Sequence, residues 1–264
     1  MSSGGRADDK AFGLNWIVPD WPAPAGICAA VSTRELPGTS LPPWDNFNLG
    51  DRCGDDPNHV AANRAALTVH LELPQAPHWL RQVHGSNVVR VNAQSAHEAR
   101  EADAAVTSDA GVVLVILTAD CLPVLFASKD GSRVGAAHAG WRGLAAGVLE
   151  ATVAAMGDSP DNIIAWLGPA IAASSYEVGA EVRDTFVATS AAAESAFVKS
   201  RSGHWFCDLY ELATQRLYAC GVLEIHGGGF DTRSDEGFYS YRRDPNTGRF
   251  ASLIWRASPL SISV

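Results

Sequence analysis

Positive charge is scarce in this chain: 20 Lys and Arg stand against 29 Asp and Glu in 264 residues, a formal net charge of −9. Affinity for phosphate backbones and anionic lipid surfaces comes from clustered Lys and Arg, and no basic patch stands out, so nucleic-acid and membrane-surface binding are set aside. Long apolar runs are lacking too. No segment reaches the roughly 18 uninterrupted apolar residues of a membrane span, and Met1 to Lys10 holds no apolar core of secretory length. Those first ten residues read as a mobile tail ahead of one domain over 11–264. Cysteine is sparse: Cys28, Cys53, Cys121, Cys207 and Cys220 are scattered and odd in number. That pattern fits reduced thiols rather than a disulfide framework, and the expected location is the cytoplasm. Repeats and low-complexity linkers are missing, and nothing in the pattern speaks to oligomeric state.

What remains is 47% hydrophobic, enough to bury a sizeable core as one large domain. Asp56 to Leu73 reads as a helix with Pro57 in its first turn. Val112 to Leu117 reads as a buried strand, Leu122 to Ala127 as a second, and Lys129-Asp130-Gly131-Ser132 as the turn into a third, Val134 to His138. Gly140 opens an Ala/Leu-rich helix running to about Met156, where Gly157 and Pro160 stop it. Further on, Ile163 to Leu167 is a strand ending at Gly168-Pro169. Val178 to Ala188 and Leu209 to Ala219 are helical, Ala191 to Ser202 is a helix end and surface loop, and Phe250 to Trp255 is a terminal strand. Strands alternating with helices give an α/β (α+β) class: one domain of layered mixed β-sheets flanked by helices.

Three segments concentrate the chemistry: Gln82-Val83-His84-Gly85, Thr118-Ala119-Asp120-Cys121, and Ala137-His138-Ala139-Gly140-Trp141-Arg142-Gly143. Two imidazoles and one thiolate are a catalytic zinc set, because three protein ligands leave the fourth tetrahedral position open. A lone His or Cys is more often part of a core, and the separations here are too long for a finger or ribbon. Context shifts the balance. Cys121 sits at a strand mouth, where α/β sheets place their chemistry, and the turn centred near 129–131 folds Cys121 and His138 toward each other.

These segments resemble the laccase-domain, or peptidoglycan-editing-factor, family. Ala102-Asp103-Ala104, Phe47-Asn48-Leu49-Gly50, Tyr176-Glu177-Val178-Gly179 and Tyr239-Ser240-Tyr241-Arg242-Arg243-Asp244 add to the likeness, which spans roughly residues 26 to 256 in the expected order. The resemblance implies layered mixed sheets and one Zn2+ on His84, Cys121 and His138. It also implies a purine nucleoside enzyme that phosphorolyses adenosine, inosine, guanosine or methylthioadenosine and deaminates adenosine. Other members are described as copper polyphenol oxidases or as editors of peptidoglycan precursors. Two departures stand out. Many members carry Cys-Thr where this chain has Asp231-Thr232, and a cysteine near Ser174-Ser175. Both remove soft ligands, which argues against a site with several copper ions.

A nucleoside and phosphate need an anion clamp and polar groups for ribose and base. The candidate substrate-binding residues are Asn48, Arg64 and Arg242, with Arg34 and Arg142 behind them. Surface salt bridges and a turn-stabilising amide are the plainer roles for such residues. Asp120 and Glu177 are remote candidates for the proton donor. Two rival readings are a metal-free hydrolase built on a Cys121–His138 dyad and a binding module around a purely structural metal.

Overall fold

The computed structural model describes residues 16–258; the proposed tail at 1–10 lies outside them. Its centre is a six-stranded mixed sheet in the order Glu224–Gly227, Ile163–Leu167, Leu122–Ser128, Val134–Ala139, Ala104–Thr107, Val88–Arg90. A three-stranded antiparallel sheet, Ile27–Val31, Phe250–Arg256 and Val113–Thr118, packs on one face of it. Strand alternation explains this sandwich. Val124 and Phe126 enter one apolar cluster with Leu149, Val153, Phe186 and Leu212 of the helices. Leu125 and Ala127 enter another with Leu114, Ile116 and Ile254 of the smaller sheet. Val113 and Val115 turn to the far side, against Leu67 of the helix Pro57–His70. Four layers result, helices, sheet, sheet, helix, and the continuous apolar runs follow because both faces of these strands are covered.

The expected hairpin is present. Leu122–Ser128 pairs with Val134–Ala139 antiparallel, with Leu122 opposite Ala139 and Pro123 opposite His138. The strand Ile163–Leu167 and the helix Leu209–Ala219 have the bounds read from the sequence. Asp56 caps the first helix by accepting from the Asn58 N–H, with Pro57 at its start.

Three expectations need correction. The helix from Gly140 is two helices, Trp141–Ala145 and Val148–Met156, because Gly147 between them adopts φ +90°, a left-handed conformation that ends a helix. Val178 does not begin a helix: Glu177–Gly179 is a strand paired with His204–Cys207, and the helix is Ala180–Thr189. Ala191 to Ser202 is no plain surface loop, since a 3-10 turn, Ala191–Ala196, leads into the strand Phe197–Lys199. Ala193, Ala196 and Phe197 are buried, so that segment is held by packing, which local propensity does not report. Among the described residues no helix is long and apolar enough to cross a membrane.

Leu125 is fully buried in a central strand. Leu125→Ala should therefore lower stability by about 2–5 kcal/mol. Urea unfolding measures this, and a loss under about 1 kcal/mol would mean the two sheets are not packed through this residue.

Candidate metal centre

His84, Cys121 and His138 converge at the mouth of the six-stranded sheet. Cys121 immediately precedes the strand Leu122–Ser128, His138 lies near the end of Val134–Ala139, and His84 projects from the loop after Leu80–Arg81. One donor atom from each lies within 4.8 Å of the others, with His138 buried, Cys121 half-buried and His84 exposed. The Cys121 Sγ to His84 Nε2 distance is 3.8 Å. A tetrahedral zinc with bonds of about 2.3 Å to sulfur and about 2.05 Å to nitrogen sets those atoms about 3.5 Å apart. Distances and donor chemistry therefore suit one such ion. Among the described residues no fourth His, Cys, Asp or Glu joins the group, so the protein would supply three of a tetrahedral ion's four ligands.

The loop carrying His84 is moulded around Asp103. This carboxylate, fully buried, accepts the backbone N–H groups of Val83, His84 and Gly85, the last two at 2.8 and 2.7 Å. Its Oδ1 also lies 2.8 Å from His138 Nδ1, which turns Nε2 of that ring toward the centre. A carboxylate behind a ligating imidazole fixes the ring and raises its basicity. Gln82 adds a second tether, its amide donating to Leu117 O and accepting from Leu117 N at 2.8 and 2.9 Å. His84 itself holds φ +60° and Asp120, next to Cys121, holds φ +92°. Left-handed backbone at two non-glycine residues beside one cluster is strain of the kind that collects at functional sites.

Gly140 is required by space. A Cβ there would stand 2.9 Å from both Cys121 Sγ and His84 Cδ2, and 3.5 Å from His138 Nε2. A Cβ on Gly143 would fall 2.7 Å from Gly85 O, so the short helix packs directly on the His84 loop.

The charges are coupled. Burial opposes ionisation of the Cys121 thiol, but His138 and His84 outweigh it and bring the thiol down to about 6. Burial likewise disfavours a charged His138, yet Cys121 and Asp103 raise it to about 9. Burial would push the Asp103 carboxyl up, while the hydrogen bonds from His138 and the loop amides hold it below its ordinary range. The protein thus presents a thiolate at neutral pH, the form that binds metals or attacks carbon.

A cleft of about 530 Å3 opens over the centre. Trp141, Tyr176, Tyr241 and Arg242 belong to its wall, and Arg52 and Arg249 line another part. Of the predicted substrate residues, Arg142 and Arg242 are on the cleft; the Arg242 guanidinium donates to Glu177 O at 2.7 Å and lies 5.0 Å over the Tyr176 ring. Asn48 and Arg64 stand behind the wall. The Asn48 amide is buried and bonded to Gly50, Asp55 and the Arg249 N–H, so it acts as the turn-stabilising group. Arg64 donates to Leu49 O, pairs with Asp51 at 3.4 Å and stacks on Trp79. Both brace the loop Leu49 to Cys53. Arg34 is tied to Asp45 at 3.1 Å.

Asp120, on the cleft lining, accepts from Thr232 Oγ1 at 2.7 Å and the Arg242 N–H at 2.6 Å. Glu177 is paired with Arg201. Both carboxylates are thus held by partners within the protein. The two departures noted in the sequence meet in space: Ser175 donates to Asp231 at 2.6 Å. Asp103 holds a role that the sequence alone does not assign, and the motif Ala102-Asp103-Ala104 is its one visible trace.

Fold and donor set define a mixed α/β single-domain protein with a His–Cys–His group able to hold one metal ion under an open cleft. The chain belongs to the family described as multi-copper polyphenol oxidoreductase laccase, matched over residues 28–257. It is 54% identical over 242 residues to a purine nucleoside phosphorylase of Pseudomonas aeruginosa, covering 91% of this chain and 98% of that protein. It is 50% identical over 240 residues to the purine nucleoside phosphorylase YfiH of Escherichia coli, covering 90% and 98%. The crystal structure of a Neisseria meningitidis protein superposes with a TM-score of 0.89 at 43% identity, covering 93% of this chain and 100% of that one.

Two outcomes test the centre. Asp103→Asn should weaken metal binding about 10- to 100-fold, read by competition with a chromophoric chelator; unchanged affinity would leave Asp103 with no part in it. In metal-free protein, iodoacetamide should modify Cys121 with a midpoint near pH 6, thiolate and reactivity rising above it. A midpoint near the ordinary thiol value of about 8.5 would show that His138 does not hold the thiolate.

Proposed function

We propose that this protein is a zinc-dependent purine nucleoside phosphorylase of the cytoplasm, with adenosine deamination as a secondary activity. The carrying observation is an open three-ligand centre beneath a cleft that combines aromatic walls with arginines. His84, Cys121 and His138 would hold a zinc ion, which would supply a Lewis acid and lower the pKa of a bound water. The rest falls to the chain itself. Asp103 would hold the Nδ1–H side of His138, so that the proton given up to the metal is the one on Nε2. Trp141, Tyr176 and Tyr241 offer ring faces to a purine. The Tyr176 hydroxyl, kept protonated chiefly by burial, is a hydrogen-bond donor within the cleft. Arg242 grips the anion or the ribose, while Asn48 and Arg64 set the opposite loop.

In phosphorolysis a phosphate oxygen bonds to ribose C1′, the bond from C1′ to the purine nitrogen breaks, and the departing base takes a proton. Deamination by water commonly uses a free carboxylate as acid and base. The two carboxylates on the cleft, Asp51 and Asp120, are both engaged, so the lining favours the phosphate-dependent reaction. A single three-ligand group among the described residues also supports zinc over a multi-copper oxidase.

A second reading has one specific support. Cys121, His138 and Asp103 stand as nucleophile, base and orienting carboxylate, the arrangement of a metal-free cysteine hydrolase, here acting on peptidoglycan precursors.

Protein purified without a metal-affinity tag should carry one zinc per chain, and Cys121→Ala should empty the site. With adenosine and phosphate it should release adenine and ribose 1-phosphate, and chelation should stop the reaction. Activity that survives zinc removal and traps a covalent adduct on Cys121 would replace this reading with the hydrolase.

A further inference from the structure

The residues lining the cleft include four arginines, Arg52, Arg142, Arg242 and Arg249, against two carboxylates, Asp51 and Asp120. The arginines outnumber these carboxylates four to two, so the charge of the lining is positive. Asp51 is drawn to Arg64 behind the wall, and Asp120 is taken by Thr232 and the Arg242 backbone. Arg249 donates to the carbonyls of Thr247 and Gly248, and Arg242 to that of Glu177. Carbonyl oxygens satisfy N–H groups but leave the positive charge whole. Arg142 lies 4.6 Å over its neighbour Trp141, and among the described residues neither Arg142 nor Arg52 has an ion-pair partner.

In a chain of net charge −9, such uncompensated positive charge in one concave site focuses a field that attracts anions. A volume of about 530 Å3 equals a sphere about 10 Å across, within the range of small-ligand sites, and Arg52 and Arg142 both line it. Arg142 follows His138 by four residues and overlooks the metal centre, whereas Arg52 comes from the loop that Asn48 and Arg64 brace.

We propose that Arg142 and Arg52 form an oxyanion subsite in this cleft that takes inorganic phosphate. The subsite rests on the phosphorolysis reading and refines it, giving the phosphate to Arg142 and Arg52 of the cleft lining and leaving Arg242 to the ribose. Guanidinium is suited to such a grip, because its charge is fixed at any working pH and its forked donors match phosphate oxygens in pairs. Two such groups balance a phosphate dianion and hold one oxygen free for C1′. Without the anion their mutual repulsion is unrelieved, so phosphate should also stabilise the fold by mass action.

The test titrates inorganic phosphate alone into the full-length protein as purified, by calorimetry and by the shift in melting temperature. Wild type should bind and be stabilised. Arg142→Gln and Arg52→Gln should each weaken binding about tenfold or more, and Arg142→Lys should recover part of the loss through its remaining charge. Arg90→Gln, on the strand Val88–Arg90 and off the cleft, should behave as wild type. In turnover, KM for phosphate should rise in the same order while KM for the nucleoside and zinc content hold. Wild-type phosphate affinity in both glutamine variants would overturn the subsite, as would equal weakening by Arg90→Gln, which would mark a general charge effect. Phosphate binding that depends on Arg142 and Arg52, without nucleoside cleavage, would support the subsite and sink phosphorolysis. Cleavage with an unchanged KM for phosphate in both variants would do the reverse.

Discussion

The Asp103 carboxylate is the constraint on which the site depends. It is fully buried, and a charge there persists only because four donors surround it: the amides of Val83, His84 and Gly85 and the His138 ring. The consequence is geometric. An irregular loop and a strand of the central sheet are fastened to one group, so two of the three candidate ligands move together. Cys121 is set separately, by the tight turn at Asp120 and by the strand pairing that places Pro123 opposite His138. Gly140 and Gly143 then let the following helix close on the cluster at distances that no side chain would allow.

Electrostatics and architecture are linked through the engaged acids. Asp120 spends both oxygens on Thr232 and the Arg242 backbone, and Asp51 leans to Arg64. With four arginines against these two acids, an acidic protein keeps this cleft positive. The Arg242 and Arg249 guanidinium groups donate to backbone carbonyls, which orient them without cancelling their charge.

Local signals made much of this legible. The run Val112 to Leu117 is uniformly apolar because both of its faces are covered, and the turn at Lys129 to Ser132 fixes the register that brings Cys121 toward His138. Donor chemistry singled out His84, Cys121 and His138, which the structure gathers in one place. The failures have equally physical causes. Gly147 breaks a helix whose composition favours continuation, through one residue's φ. Glu177–Gly179 is extended because His204–Cys207 is there to pair with it, a partner too distant along the chain for any local window to contain. Asn48 and Arg64 carry the functional groups a substrate site needs, but burial and neighbours decide their use. Asp103 is invisible for the same reason, since its meaning lies wholly in contacts 18 to 35 residues distant.

The contact between Ser175 and Asp231 bears on how the molecule meets oxidants. It ties the segment that leads to Tyr241 and Arg242 to the neighbouring Tyr176 stretch through a hydroxyl and a carboxylate. Neither group changes with redox state, so this wall of the cleft keeps its shape under peroxide or thiol stress alike. Cys121 is the thiol that oxidants meet at the centre, its pKa brought down to about 6 by His138 and His84 against its burial, and damage there would remove a ligand without touching this tie.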